Sequence, residues 1–209
     1  EHQLHVALQQ GKMRLLYQPL KRLADGRIVA MEAICRWKSA LLGDIAPTAF
    51  LAHSGDLALA KALDCWTLDT ACREAARWQA EGIEDVRVAV NITARHFRQD
   101  SLVDSIRHAL AAAALPAGCL EIELTERVLH ETDPTVAHNL RTLKNMGIRL
   151  VLDEFGTGYN TLTRLKDVGI DRLKMDRSVL ANLDQSDDHV AIMRAMIELG
   201  RHLNIEVLA

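Results

Sequence analysis

Strand-like segments of this 209-residue sequence each carry an ionisable or amide side chain at or near the C-terminal end: Glu32, Asn91, Glu123, Asp153 and Lys174, with Glu154 directly after Asp153. No His or Cys stands at an equivalent position. An oxygen-only, carboxylate-rich set suits a hard divalent cation, Mg²⁺ or Mn²⁺, rather than zinc or copper. Two adjacent acids let one bridge a pair of metals while the other holds the second, as in enzymes that cleave phosphodiesters. Lys174 on the next strand could then orient or deprotonate an attacking water, or neutralise a phosphate. Taken singly, each residue also has an ordinary reading. A strand-end acid is most often solvated or a helix cap, Asn91 could cap a short helix after it, and Asp176 before Arg177-Ser178 reads equally as an N-cap. Lys174 could simply offset Asp171 or Asp176. Recurrence at the same place in successive units is what unrelated surface residues would not show. The residues alone imply a metal-dependent domain with phosphoryl chemistry.

The elements that must position these groups alternate between strand and helix. Met13–Leu20 and Arg27–Trp37 read as two strands joined by the turn at Ala24-Asp25-Gly26, an expected antiparallel hairpin. A helix is expected over Asp56–Gln79, stopped by Gly82, then a strand over Val86–Ile92 and a helix over Ser101–Ala114. Three further units follow: strand Leu120–Thr125 with helix Pro134–Met146, strand Ile148–Asp153 with helix Thr161–Asp167, and strand Asp171–Met175 with helix Asp188–Leu203. Ile205–Leu208 begins another strand. Such alternation fits a parallel sheet with helical crossovers, either open or closed. A barrel gathers the C-terminal strand ends around one mouth, whereas an open sheet would strand most of these polar groups along a line. The expected fold is therefore an α/β, TIM-like barrel, with roughly one more unit of about 30 residues beyond Ala209. Gly156-Thr157-Gly158 lacks the spacing of a dinucleotide loop and reads as a plain turn or as a gating or partner-contacting loop beside the acids.

Composition narrows the class. Lys and Arg number 25 against 28 Asp and Glu, a net charge of −3, which leaves no basic surplus for a nucleic-acid polymer or a membrane surface. Aromatic residues are 4% of the chain, too few for a base-stacking platform. The longest apolar run, Ala109–Pro116, is far short of the ~18 residues that span a bilayer. Cys35, Cys65, Cys72 and Cys119 form no CxxC pair and lie among apolar residues. They are expected to be buried thiols of a reducing compartment, which places the domain in the cytoplasm.

At these residues the sequence resembles the EAL domain family of cyclic di-GMP phosphodiesterases. The resemblance runs in order through Tyr17-Gln18-Pro19, then Glu32-Ala33-Ile34-Cys35-Arg36-Trp37 at the signature EAL(x)RW, and Val90-Asn91-Ile92-Thr93 at VN(I/L)S. It continues through Glu121-Ile122-Glu123-Leu124-Thr125-Glu126 at E(I/L)TE, Asp153-Glu154-Phe155-Gly156-Thr157-Gly158-Tyr159 at DDFGTGY, and Leu173-Lys174-Met175-Asp176-Arg177 at LKIDR. It implies a TIM-like barrel with one antiparallel strand, and one phosphodiesterase domain over residues 1–209. By position, Glu32, Asn91, Glu123 and Asp153 match the first-metal ligands, and Glu154 takes the place of the second-metal aspartate. Lys174 matches the lysine that helps activate water, and Glu126 the acid that steadies the loop after Asp153. Gln18, Ile34, Arg36 and Asp176 fall on the substrate-binding side, Arg36 through phosphate. The implied reaction is metal-dependent hydrolysis of cyclic di-GMP to linear pGpG.

Three departures qualify the implication. Ile34 replaces a Leu of similar volume. Glu154 is one methylene longer than the family's Asp, and a shift on the order of 1 Å can cost ~10²-fold in rate. The family also continues past Val207-Leu208-Ala209 into another acid near the metals and a substrate-contacting glutamine, so the sequence is expected to be C-terminally incomplete. These departures keep open a second function, a degenerate domain that binds cyclic di-GMP and signals to a partner. The resemblance further implies a homodimer formed near the loop after Asp153, and a fused N-terminal sensory or cyclase-like domain. The parent protein could then be membrane-anchored although this domain is not.

Overall fold

A computed structural model describes residues 2–21, 25–39, 43–46, 56–83, 85–155, 162–175 and 187–208. Helix α1 (His2–Gln9) precedes the hairpin β1 (Met13–Lys21) and β2 (Ile28–Ser39), with the short β3 (Gly43–Ile45) on β2. Then follow α2 (Leu57–Ala80), β4 (Arg87–Asn91), α3 (Ala94–Phe97), α4 (Ser101–Ala113), β5 (Leu120–Thr125), α5 (Glu126–Leu129), α6 (Pro134–Asn145), β6 (Arg149–Phe155), α7 (Leu162–Val168), β7 (Arg172–Met175), α8 (Asp187–Leu203) and β8 (Glu206–Leu208). The helix boundaries have local causes. Asp56 caps α2 by accepting from Leu59 N at 2.9 Å, and Asp133 caps α6 by accepting from Thr135 N at 2.8 Å, with Pro134 at the first helical position. Gly82 (φ +86°) and Gly147 (φ +84°) end these helices in the left-handed region that favours glycine.

The strands form one curled sheet in the order β1-β2-β4-β5-β6-β7-β8. β1 is antiparallel to β2 and every later neighbour on this path is parallel. The sheet is thus part of a TIM-like barrel with the expected antiparallel strand in β1; the three-residue β3, off this path, is also antiparallel to β2, and among the described residues β1 and β8 end the path.

Alternation along each strand separates two chemistries. Val88, Val90, Ile122, Leu124, Leu150, Leu152 and Leu173 face outward and share one apolar cluster with Leu68, Leu102, Ile106, Leu143 and Leu165 of the helices. Facing inward are Ala89 and Asn91, Glu121 and Glu123, Arg149 and Val151, Arg172 and Lys174. Ala30, Ala89 and Val151 are fully buried inside the curl without joining any apolar cluster. The interior of the barrel is therefore built from small residues and charge, and the apolar core lies between sheet and helices.

Several expectations need amending. β6 runs two residues beyond the expected end at Asp153. Its pairing with β7 shifts between Leu152 and Phe155, a bulge centred on Asp153-Glu154. β3 and the four-residue α5 carried too little periodic signal to be read. All four cysteines are free, but only Cys72 is buried, whereas Cys35, Cys65 and Cys119 are half-buried. The reason is position: Cys35 lies on the part of β2 that extends past its pairing with β4, and Cys119 lies in a short turn before β5. Asp176 and the Gly156-Thr157-Gly158 segment fall outside the described residues.

Candidate active site at the barrel mouth

Glu32, Asn91, Glu123, Asp153 and Lys174 come together at one rim of the sheet. The last four lie at or near the C-terminal ends of β4, β5, β6 and β7, whereas Glu32 is in the middle of β2, near the end of its pairing with β4 and not at the expected strand end. Lys174 Nζ lies 2.8 Å from Glu123 Oε2, 3.0 Å from Glu32 Oε2 and 3.4 Å from Asp153 Oδ2. Asn91 Nδ2 donates to Glu32 Oε1 at 3.0 Å, leaving its carbonyl oxygen for a cation. An oxygen from each of Glu32, Glu123 and Asp153 lies within 4.8 Å of the others, close enough to share one ion.

Electrostatics set this cluster apart. Glu123 is fully buried. Burial pushes its carboxyl above the ordinary carboxylate range, opposed by Lys174 and helped by the neighbouring Glu32 and Asp153. Burial alone would lower Lys174, yet Glu123, Asp153 and Glu32 hold it above its ordinary range. Three carboxylates thus surround one ammonium, and Glu123 Oε1 is buried with no hydrogen-bond partner. An unsatisfied buried carboxylate oxygen beside an excess of acid is costly in the bare protein. A hard divalent cation would meet both deficits, so the residues present fit Mg²⁺ or Mn²⁺. Lys174 stands where part of that positive charge would otherwise be needed.

The remaining candidates are arranged around this centre. Glu126 is buried at the first position of α5, directly after β5. The backbone of Glu154 lies in the β6 bulge beside Asp153. β2 pairs with β4 only through Ala30–Ala33, so Ile34 and Arg36 project beyond the rim on the same face as Glu32. On β1, Gln18 is opposite Glu32 and Leu16 opposite Ile34. Gln18 is exposed, and Arg36 Nη1 donates to the Cys35 carbonyl at 2.9 Å. The hairpin therefore carries an amide, an apolar pair and a guanidinium in a row above the acids.

A second charged layer, not singled out in the sequence, lies two residues below the first. Arg172, 2% exposed, donates to Glu121 Oε2 at 2.6 Å and to Glu206 Oε2 at 2.7 Å. Arg87 Nε stands 3.9 Å from Glu121 Oε1. The available signal was the spacing itself, because Glu121/Glu123 and Arg172/Lys174 are i, i+2 pairs that a strand must place on one face.

Comparison with known proteins agrees with this architecture. The EAL domain family matches residues 1–209. The chain is 37% identical over 210 residues to the cyclic di-GMP phosphodiesterase NbdA of Pseudomonas aeruginosa, covering 100% of this chain and 27% of that protein. It is 35% identical over 209 residues to MucR of the same organism, a bifunctional diguanylate cyclase and cyclic di-GMP phosphodiesterase, of which it covers 30%. The chain thus spans about a quarter to a third of the length of these curated relatives. Among solved structures, the MucR phosphodiesterase in complex with c-di-GMP superposes with a TM-score of 0.92 at 35% identity, over 99% of this chain and 83% of that one. The EAL domain of Mycobacterium smegmatis DcpA gives 0.76 at 30% identity, over 93% and 79%. No helix among the described residues is long and apolar enough to cross a membrane. With a match along its whole length and the same curled sheet, the chain belongs to the EAL domain family.

Proposed function

We propose that this domain hydrolyses one phosphodiester of cyclic di-GMP, giving linear pGpG, with Mg²⁺ or Mn²⁺ as cofactor. The observation that carries the reading is the cage of Glu32, Glu123 and Asp153 with Asn91 at its rim, whose buried Glu123 oxygen lacks a partner. These four residues would hold a first cation, and Asp153 with Glu154 a second. Bound there, the cations supply positive charge against the negative charge that develops on the phosphoryl group. Lys174, fixed between three carboxylates, is placed to hold a water or a phosphate oxygen at the same centre. Above the rim, Arg36 would take a phosphate and Gln18 and Ile34 the nucleoside. Glu126 would steady the segment after Asp153, and Asp176 would complete the substrate side. Homodimerisation, a fused sensory or cyclase-like domain and a cytoplasmic setting complete the proposal. The similarity to MucR, a multidomain relative, supports the fused domain.

The test is incubation of the purified protein with cyclic di-GMP and either metal, with chromatographic separation of the nucleotides. Metal-dependent appearance of pGpG is expected, and its loss on adding a chelator. A receptor without turnover is the alternative, and Glu154 in place of aspartate favours it. Saturable binding of cyclic di-GMP without pGpG would decide for that alternative.

A further inference from the structure

We propose that Asp64, a buried carboxylate on α2, is a positioning residue that holds Asn91 in ligating geometry by anchoring the turn after β4. The inference rests on the metal-dependent reading above and concerns how the mouth is kept in shape.

β4 ends at Asn91, and the chain must leave the sheet at once to enter α3 at Ala94. Ile92 N still donates to the Glu123 carbonyl at 3.1 Å, and Thr93, in extended geometry, then turns outward. At this turn one oxygen, Asp64 Oδ2, accepts three bonds: from Thr93 N at 3.1 Å, from Thr93 Oγ1 at 2.8 Å and from the His96 ring Nδ1 at 3.2 Å. Asp64 is 5% exposed and His96 fully buried. A carboxylate only accepts, so the network assigns the imidazole proton to Nδ1. Nε2 is buried without a hydrogen-bond partner.

The three bonds are more than a helix cap requires. Asp64 lies within α2, eight residues after its N-cap, and so gives nothing to that helix's ends. All of its hydrogen bonding goes to the turn that begins two residues after Asn91. Charge-assisted bonds converging on one buried oxygen fix a backbone firmly. Asn91 itself is exposed and, among the described residues, its side chain is held in the bare protein through Glu32 at 3.0 Å. When a cation draws on Glu32, that bond is no longer enough to orient the amide. The anchor behind the strand end then decides where the Asn91 carbonyl oxygen points. Outer-shell partners of this kind are worth ~10–100-fold in metal affinity.

The experiment is titration of Mn²⁺ into the protein, following free aqueous Mn²⁺ by electron paramagnetic resonance, alongside thermal unfolding of each variant without metal. Asp64→Ala is expected to weaken Mn²⁺ binding about 10-fold. Asp64→Asn keeps a carbonyl oxygen for the Thr93 donors and is expected to stay within about 3-fold of wild type. A purely structural role predicts a lower melting temperature for Asp64→Ala with unchanged Mn²⁺ affinity of the folded protein, and that result overturns the inference. Equal losses in the Ala and Asn variants also overturn it. Should Asp64→Ala fail to fold, Thr93→Val decides: it removes the shortest of the three bonds while keeping the backbone donor. About 3-fold weaker binding supports the inference and unchanged binding overturns it. Wild-type protein that binds no Mn²⁺ overturns the metal reading itself, a result distinct from normal binding that Asp64→Ala leaves unaltered.

Discussion

On β5 and β7, Glu121 and Arg172 stand two positions before Glu123 and Lys174 on the same inward face, and the two layers match their charges differently. In the floor layer Arg172 is shared between Glu121 and Glu206, with Arg87 close by, so buried charge is met by opposite charge. Burial raises Glu121, while Arg172, Arg87 and Arg149 pull it back. In the mouth layer three acids share one lysine. Each layer leaves one buried glutamate oxygen without a hydrogen-bond partner, Glu121 Oε1 below and Glu123 Oε1 above, but three guanidinium groups act on Glu121 against the single ammonium of Lys174 on Glu123. A layer whose charges are matched from within acts as structure. A layer with surplus acid at the rim is poised for a ligand that brings positive charge, at a cost in stability typical of functional sites.

The largest effect that would break this contrast is at Lys174. Lys174→Ala is expected to lower turnover of cyclic di-GMP on the order of 10³-fold, about 4 kcal/mol, in a protein that still binds Mn²⁺. Nucleotide chromatography and Mn²⁺ titration check the two halves separately. Wild-type turnover in this variant would remove Lys174 from the proposed chemistry.

The sharpest comparison uses one substitution twice on β5. Glu121→Gln leaves Arg172, 2% exposed, with the partly exposed Glu206 as its one anionic partner among the described residues. It is expected to destabilise the metal-free protein by about 2 kcal/mol, less than a fully broken buried pair because the amide oxygen still accepts one bond. Glu123→Gln removes one of three crowded acids while Glu32 and Asp153 still hold Lys174. It is expected to stabilise the metal-free protein by about 1 kcal/mol and to abolish Mn²⁺ binding. Denaturant unfolding reads the opposite signs, and equal signs would refute the division into two layers.

The floor can also be reached from outside. At Gly200 on α8 an added Cβ would collide with Val207 Cγ2 and lie 2.8 Å from the Ile205 carbonyl oxygen. α8 could not stay seated against β8, which supplies Glu206 to Arg172. Gly200→Ala is therefore expected to cost about 2 kcal/mol in unfolding. Mn²⁺ affinity at the mouth should change little, because β8 gives no candidate ligand there.

How much of this was legible in the sequence depends on the length scale of the signal. Buried parallel strands read as β-branched and leucine-rich runs, and β4 to β7 were located within about two residues, as boundary statistics allow. The mouth was legible because a polar side chain falls at or near the end of each of β4, β5, β6 and β7. The floor was not singled out, since Glu121 and Arg172 sit inside motifs whose neighbouring residues drew the argument. The β6 bulge was illegible as well. Asp153-Glu154 reads as a strand end, and only pairing with β7 reveals that Phe155 returns to the apolar face beyond it. Asp64 was hidden for a similar reason, because its acceptance of three bonds from a turn 29 to 32 residues away leaves no local pattern.

The division between charged interior and apolar outer layer has a chemical consequence at the cysteines. Cys72 on α2 belongs to the apolar cluster outside the sheet. Burial, with a smaller contribution from Asp69, pushes its thiol up to about 12. The raised value means that folding favours the neutral thiol. That contribution is intact below the ordinary thiol value near 9 and is lost as pH rises toward 12. At pH 8 the thiolate needed for alkylation is therefore scarce in the folded protein and ordinary in the unfolded one. Iodoacetamide at pH 8 should leave Cys72 unmodified in the native protein and modify it fully in denaturant, as read by peptide mass. Rapid native modification would mean that the outer layer opens to water, and the contrast between a charged inside and a dry, apolar outer layer would fail at that point.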